Sequence, residues 1–266
     1  MIPRLLTILV GVPIVLACTY FGGVPFFILV LVLAAVSINE FYSLIQNKGV
    51  HPSRVVGNIF TIIFISFAQQ TLKHPNWEPA AAAILTGASI LTFSAGILLR
   101  KTTMATLNIA VTLLGMIYVG WLFSYLILLR SMGSHGIYLF YLMISIWMMD
   151  TSAYLAGSRL GRTLLSPYIS PKKTVEGAVA GFLVCVAVSW FFAVWQSWPL
   201  LPFLGLGALI GIMGQISDLV ESLIKRDSGV KDSSPLIPGH GGVLDRMDSF
   251  ILTAPLVYYY LSWLIF

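Results

Sequence analysis

The sequence predicts an all-α, polytopic integral membrane protein, and two observations carry that prediction. Of its 266 residues, 58% are hydrophobic and only 9% charged, outside the usual range of soluble domains. Apolar runs of about 20 residues, the length of a helix that crosses a bilayer core, recur from one end of the chain to the other. Transmembrane β-barrels need alternating segments of about 10 residues, so helices remain as the way to satisfy backbone hydrogen bonds in lipid.

Reading the apolar blocks in order gives about nine transmembrane helices, at roughly 5–22, 25–46, 54–72, 80–99, 104–129, 137–158, 175–196, 201–224 and 249–266. A second apolar run follows the first almost at once, without a clear small-residue cleavage site. The first block therefore reads as a retained helix, not a removed signal peptide. Cys18 and Cys185 fall inside apolar runs with no second Cys or His at metal-ligand spacing, so neither a disulfide nor a zinc site has support.

An odd number of spans puts the termini on opposite sides, and the basic residues decide which side is which. With the N-terminus cytoplasmic, that side holds Arg4, Lys48, Arg54, Arg100, Lys101, Arg159, Arg162, Lys172, Lys173, Lys225, Arg226, Lys231 and Arg246. The opposite side, with the C-terminus, holds only Lys73 and Arg130. One missed helix would invert every later loop and destroy this asymmetry. Trp77, Trp121, Trp195, Trp198 and Trp263 fall near span ends, as in an interfacial belt, although core packing accounts for some of them equally well.

The acidic residues are distributed differently. Only Glu40 and Glu78 precede residue 150, whereas Asp150, Glu176, Asp218, Glu221, Asp227, Asp232, Asp245 and Asp248 lie from there onward. Residues 1–135 therefore read as a transmembrane scaffold and residues 136–266 as a catalytic region. The polar chemistry of the latter falls in two cytoplasmic loops, 159–174 and 225–247, and long connections between packed elements are usually functional.

The segment from Asp218 to Asp248 is the most informative. Asp218, Glu221, Ser222 and Lys225 are spaced by threes and fours, so they share one face of the eighth span at its cytoplasmic end. Asp245 and Asp248, three apart at the start of the ninth span, can point the same way with Arg246 diverging. With Asp218 nearby, these carboxylates suit a hard divalent cation such as magnesium, which takes oxygen ligands and retains waters or substrate phosphates. The connecting loop contains Gly229, Lys231, Asp232, Gly239, His240, Gly241 and Gly242. Glycines let backbone N–H groups approach an anion, and Lys225, Arg226, Lys231 and Arg246 supply positive charge. Together these features suggest a nucleoside triphosphate with its metal, and transfer chemistry that needs positioning and charge stabilisation instead of a nucleophilic Ser or Cys.

Ser222, Lys225, Arg226, Lys231, Asp232, His240, Gly241, Gly242, Asp245, Arg246 and Asp248, eleven positions within 27 residues, resemble the C-terminal signature of phosphatidate cytidylyltransferases, also called CDP-diacylglycerol synthases. The stretch from Asp150 through Thr151, Tyr154, Gly157 and Gly161 to Ser170–Gly177 is similar to that family as well, so the resemblance covers roughly the last 120 residues. It implies attack of a phosphatidic acid phosphate on the α-phosphate of CTP, giving CDP-diacylglycerol and pyrophosphate, with a requirement for Mg2+. Carried over position by position, Asp218, Asp245 and Asp248 would hold the metal, Asp218 resting on helix-face geometry because it lies outside the signature. Lys225, Arg226, Lys231 and Arg246 would bind the triphosphate or lipid phosphate, with Ser222 and Asp232 beside them, and His240, Gly241 and Gly242 would shape the phosphate loop. Asp150, Ser170, Lys172, Lys173 and Thr174 would line the substrate site.

Each of these residues also has a plainer reading. Lys172 and Lys173 could be topological anchors, and His240 a turn residue. Gly157 with Gly161, and Gly177 with Gly181, have the small-xxx-small spacing of close helix packing. Asp150 lies within the sixth span, where a charge costs roughly 2.5–3.5 kcal/mol on insertion scales, so it faces either the site or a structural partner. Glu40 has the same burial problem in the second span and no surrounding motif. Asp245 and Asp248 could simply favour the positive end of a helix dipole.

Two other functions compete. A CTP-dependent polyprenol or phytol kinase would need the same membrane body, charged loop and magnesium. A transporter fits the span count and the intramembrane acids, but its broken helices usually recur in corresponding halves, and here the polar residues occupy one half. The expected partners are CTP, phosphatidic acid and the lipid bilayer, with no nucleic acid; a homodimer is left open. The expected location is the bacterial inner membrane, with the site facing the cytoplasm.

Overall fold

The computed structural model describes residues 2–72, 78–98, 103–237 and 241–265. Lys73, Trp77, Arg100, Lys101, Gly239 and His240 lie outside them. The architecture is all-α apart from one short hairpin. In chain order the elements are α1 (Ile2–Phe21), α2 (Gly23–Gln46), α3 (Arg54–Thr71), α4 (Glu78–Leu98), α5 (Ala105–Gly115) and α6 (Leu122–Ser131), then α7 (Ile137–Leu160), β1 (Leu164–Ser166), β2 (Ser170–Thr174), α8 (Val175–Gln196), α9 (Leu200–Asp227) and α10 (Leu244–Leu264). A π-helical turn, Met116–Trp121, joins α5 to α6 in one continuous rod, so each apolar block of the sequence corresponds to one long helical stretch.

Six of these stretches are long and apolar enough to cross a membrane: Gly23–Gln46, Ala80–Ile97, Ala105–Ser131, Ser134–Leu160, Val175–Gln196 and Leu200–Asp227. The chain is thus an integral membrane protein by the length and composition of its helices. α10 differs because it opens with Asp245, Arg246 and Asp248, and α3 carries Asn58, Gln69 and Gln70. Asn58 is spent inside the protein, exchanging side-chain hydrogen bonds with Asn39 of α2 at 2.9 and 3.2 Å.

Small residues set how closely the helices approach. Tyr42 of α2 is fully buried between Gly57 and Gly115, where an added Cβ would stand 2.2 and 2.4 Å from the tyrosine side chain. Its hydroxyl donates to the Thr112 carbonyl at 2.8 Å. Close helix packing, as the small-xxx-small spacings suggested, is found at Gly157, Gly177 and Gly181: a Cβ on Gly177 would meet the Ala153 carbonyl at 2.6 Å and the Gly157 Cα at 3.3 Å, and one on Gly181 the Met149 side chain at 3.0 Å. α7 and α8 therefore cross almost backbone to backbone, just below the hairpin. Trp198 stacks on Tyr138 and Phe203, with ring centroids 4.8 and 4.4 Å away, so it is a core residue, whereas Trp195 and Trp263 are exposed.

The segment 159–174 is not a plain loop, because α7 continues to Leu160 and β1 pairs antiparallel with β2. Likewise α9 runs through Asp227 and α10 begins at Leu244, so the connection between them, described over 228–237 and 241–243, is shorter than the loop 225–247 expected from the sequence. The main core unites both halves of the chain, with Phe41, Tyr118 and Phe123 beside Tyr141, Leu142 and Phe203. Arg130, one of the two basic residues expected on the far side, is used structurally: its guanidinium donates to the Thr19 and Tyr20 carbonyls at 3.0 and 2.9 Å, closing the end of α1.

Candidate active site

The hairpin is fastened at both ends. Thr174 caps α8 by accepting from the Gly177 N–H at 3.2 Å, and Glu176 in the first turn of α8 accepts from the Thr163 N–H. Arg226, at the end of α9, donates to the Ile169 carbonyl in the hairpin turn and to the Val230 carbonyl, both at 3.2 Å. Arg226 was expected on phosphate; the structure spends much of its donor fork on backbone, so it holds the hairpin against the loop. Ser222 donates to Asp218 one turn earlier at 3.3 Å.

Lys173 forms an ion pair with Asp218. Asp218 and Asp150 lie close enough to Asp248 for their charges to act on it, and Arg246 acts on Asp150 in the opposite sense. The Asp248 carboxylate accepts from its own neighbour, the Ser249 N–H, at 2.6 Å, and its carbonyl accepts from the Ser217 hydroxyl. Three acids from α7, α9 and α10 thus act on one another's charge, and among the described residues the one ion pair they form is that of Asp218 with Lys173.

Asp245 does not join them. Lys225 donates to its Oδ1 at 2.6 Å, while its Oδ2 accepts from the Ser233 N–H and hydroxyl, both at 2.9 Å, and from the Gly242 N–H at 2.7 Å. Lys225 also pairs with the buried Glu221 one turn before it. Asp245 lies ahead of the apolar run of α10. Burial alone would push it up, but Lys225 and the Gly242 and Ser233 N–H groups hold its carboxyl at about 2. The expected metal trio of Asp218, Asp245 and Asp248 is therefore not assembled, and the described residues hold no group of three or more His, Cys, Asp or Glu side chains placed to share an ion. Lys225, expected on phosphate, is an internal counter-ion.

Gly241 and Gly242 are required, but for a different reason from the expected phosphate contact. Gly241 has φ +81°, a conformation open to glycine at little cost, and a Cβ there would lie 2.5 Å from Asp245 Oδ2. A Cβ on Gly242 would lie 1.9 Å from the Ser233 hydroxyl and 2.6 Å from the Glu40 carboxylate. The loop is closed on the protein's own acids. His240 falls outside the described residues.

Two cavities flank this framework. One, of about 770 Å3, has Ser43 of α2 and Asn47 just after it on one wall and Lys231, Asp232, Gly241 and Arg246 on the other. The second, of about 490 Å3, lies under the hairpin between α7, α8 and α9, with Asp150, Ser170, Lys172, Lys173, Thr174 and Asp218 among its walls. Lys172, Lys231 and Arg246 form no ion pair with a described residue, so their charge is available to a ligand. The substrate-site residues predicted from Asp150 to Thr174 do share one cavity.

Sequence reasoning missed the part played by Glu40. It is buried in α2 and accepts from the Val243 and Leu244 N–H groups at 3.1 and 2.7 Å and from the Ser233 hydroxyl at 3.2 Å. A charged residue buried in an apolar run was the available signal, and its partners lie 193 or more residues away.

A model of the cytidylyltransferase family matches residues 2–264. The chain is 36% identical to the phosphatidate cytidylyltransferase of Synechocystis sp., over 98% of this chain and 97% of that one. It is 33% identical to the protein of the same name in Bacillus subtilis, over 97% of each chain, and 32% identical to that of Staphylococcus aureus, over 96% of each. Matched from end to end by the family model and by such relatives, the chain belongs to the cytidylyltransferase family.

Proposed function

We propose that this membrane nucleotidyltransferase moves the cytidylyl group of CTP onto phosphatidic acid, giving CDP-diacylglycerol and pyrophosphate for phospholipid synthesis. The observation that carries the reading is the near full-length match to relatives named phosphatidate cytidylyltransferase. The geometry supports it: one cavity is lined by Lys231 and Arg246 and a second by Lys172 and Lys173 with Asp150 and Asp218, which suits two phosphorylated substrates.

Lys231 and Arg246 would hold the triphosphate in the larger cavity, with Asp232 at its rim. Lys172, beside the Lys173–Asp218 pair, would hold the lipid phosphate in the smaller cavity, whose walls include the apolar Met149, Ala153 and Leu165. Residues 136–266 would form the catalytic region on the supporting body of residues 1–135. The excess negative charge of Asp150, Asp218 and Asp248 fits Mg2+, an ion that takes one or two protein carboxylates and completes its shell with water and phosphate. Asp218 and Asp248 would hold it, and when bound it would neutralise charge on the phosphates.

Purified protein given magnesium, phosphatidic acid or a polyprenol, and CTP labelled at the α or γ phosphate tests the reaction. The expected result is α label in lipid and release of the β and γ phosphates as pyrophosphate. Label from γ alone would make it a lipid kinase and overturn the reading, and label in neither lipid would exclude both. All nine long helical stretches would span a bacterial membrane, with the N-terminus and active site cytoplasmic; the thirteen-to-two split of basic residues supports this. A cysteine at Ser166 should react with an impermeant reagent only after the membrane is opened, and one at Ser134 in intact cells. The reverse pattern would overturn the orientation.

A further inference from the structure

We propose that Glu40 is a positioning residue for the transfer reaction, locking the Ser233–Ser234 segment and the first turn of α10 to α2 so that Lys231, Arg246 and Asp248 stay in register. The inference rests on the reaction proposed above and assigns a role in it to a residue of the N-terminal half.

The first N–H groups of a helix have no partner within it and carry the positive end of its dipole. α10 has Val243 at its N-cap, with no side-chain cap of its own. Glu40 supplies the cap from another helix: Oε1 accepts from the Val243 N–H at 3.1 Å and Oε2 from the Leu244 N–H at 2.7 Å. The Ser234 hydroxyl donates to Oε1 as well. The Ser233 hydroxyl stands 3.2 Å from Glu40 Oε2 and 2.9 Å from Asp245 Oδ2. Its one proton serves one acid at a time, so the two carboxylates are coupled through it. From Asp245 the network continues to Lys225 and Glu221 in α9. Gly242 fits between Glu40 and Ser233 only because it has no Cβ.

Position follows from this lock. The larger cavity has one wall on α2, one turn beyond Glu40, and the other on the connection that Glu40 holds. Arg246 belongs to the turn that it caps, and Asp248 opens the next one. A small shift of that turn displaces a cationic and an anionic group together, and misplacement on the order of 1 Å can cost about 100-fold in rate.

The test uses the full-length protein carrying Glu40→Gln, Ser234→Ala, or both. It reads kcat and KM for each substrate, and also the labelling rate of a cysteine introduced by Leu236→Cys, an exposed residue of the connection. Glu40→Gln should lower kcat at least about tenfold, leave the KM for phosphatidic acid unchanged and speed labelling at position 236. Ser234→Ala should do the same more weakly, and the double variant should be no worse than Glu40→Gln alone, because both act through one set of bonds. A wild-type kcat and labelling rate in Glu40→Gln, or losses that simply add in the double variant, would overturn the proposal. Should Glu40→Gln fail to fold, a wild-type kcat and labelling rate in Ser234→Ala would overturn it too. The labelling needs no substrate. If the unaltered protein transfers no cytidylyl group, the reaction reading falls and faster labelling in the variants still supports the lock.

Discussion

Glu40, Glu221 and Asp245 on the loop side of the site and Asp150, Asp218 and Asp248 on its cavity side are balanced in opposite ways. On the loop side, Glu40 and Asp245 are surrounded by N–H and hydroxyl donors, and Glu221 and Asp245 share Lys225. On the cavity side, Asp150, Asp218 and Asp248 act on one another's charge, and Lys173 pairs with Asp218. Acids whose partners are all internal hold the fold, since breaking a buried pair leaves an uncompensated charge. Acids left with excess negative charge favour an added cation. Asp245 and Asp248, three residues apart in one helix, differ because their tertiary neighbours differ.

The largest expected effect tests that division directly. Asp248→Asn should lower turnover by at least about 100-fold while the unfolding midpoint in detergent holds or rises, because it removes a charge from a repelling group. Asp245→Asn should lose activity and also about 3 kcal/mol of stability, the scale of a broken buried ion pair, since Lys225 and Glu221 lose their third member. Thermal unfolding beside the lipid-product assay separates the two patterns. An equal loss of stability in both variants would erase the distinction drawn here.

The helices were legible in the sequence because an apolar run of about 20 residues has one stable form in lipid. Val175–Gln196 falls where the composition placed it. The π-turn was not legible, since nothing in Met116–Trp121 announces it and Tyr42 is lodged against the bare backbone of Gly115 just before it. The hairpin was hidden for a similar reason: β1 has only three residues, and Glu176 and Arg226 fasten it from outside. In the site, residue types were legible and their assignments less so. Helical spacing linked Glu221 to Lys225 correctly, but could not show that Asp245 would complete their pair instead of a metal site. Glu40 was the least legible, because its role depends on donors brought to it by the whole fold.

The smallest expected effect concerns the two cavities and sharpens the cavity side of the comparison. Lys231 lines the larger cavity beside Arg246, where a second cation is already at hand and Ser43, Asn47, Asp232 and Ser234 add polar groups to the wall. Lys172 lines the smaller one, where Met149, Ala153 and Leu165 give an apolar wall and Lys173 is already paired with Asp218. A triphosphate suits the first setting, and a phosphate carried on acyl chains suits the second. Lys231→Ala should therefore raise the KM for CTP about tenfold, equivalent to about 1.4 kcal/mol, and leave the KM for phosphatidic acid unchanged. Lys172→Ala should do the converse, with kcat in both variants falling less than in Asp248→Asn, because exposed lysines bind without touching the acid group. Steady-state kinetics with each substrate varied in turn decides the matter. A shift in the other substrate's KM for both variants would exchange the two cavities, and a shift in neither would remove both lysines from binding.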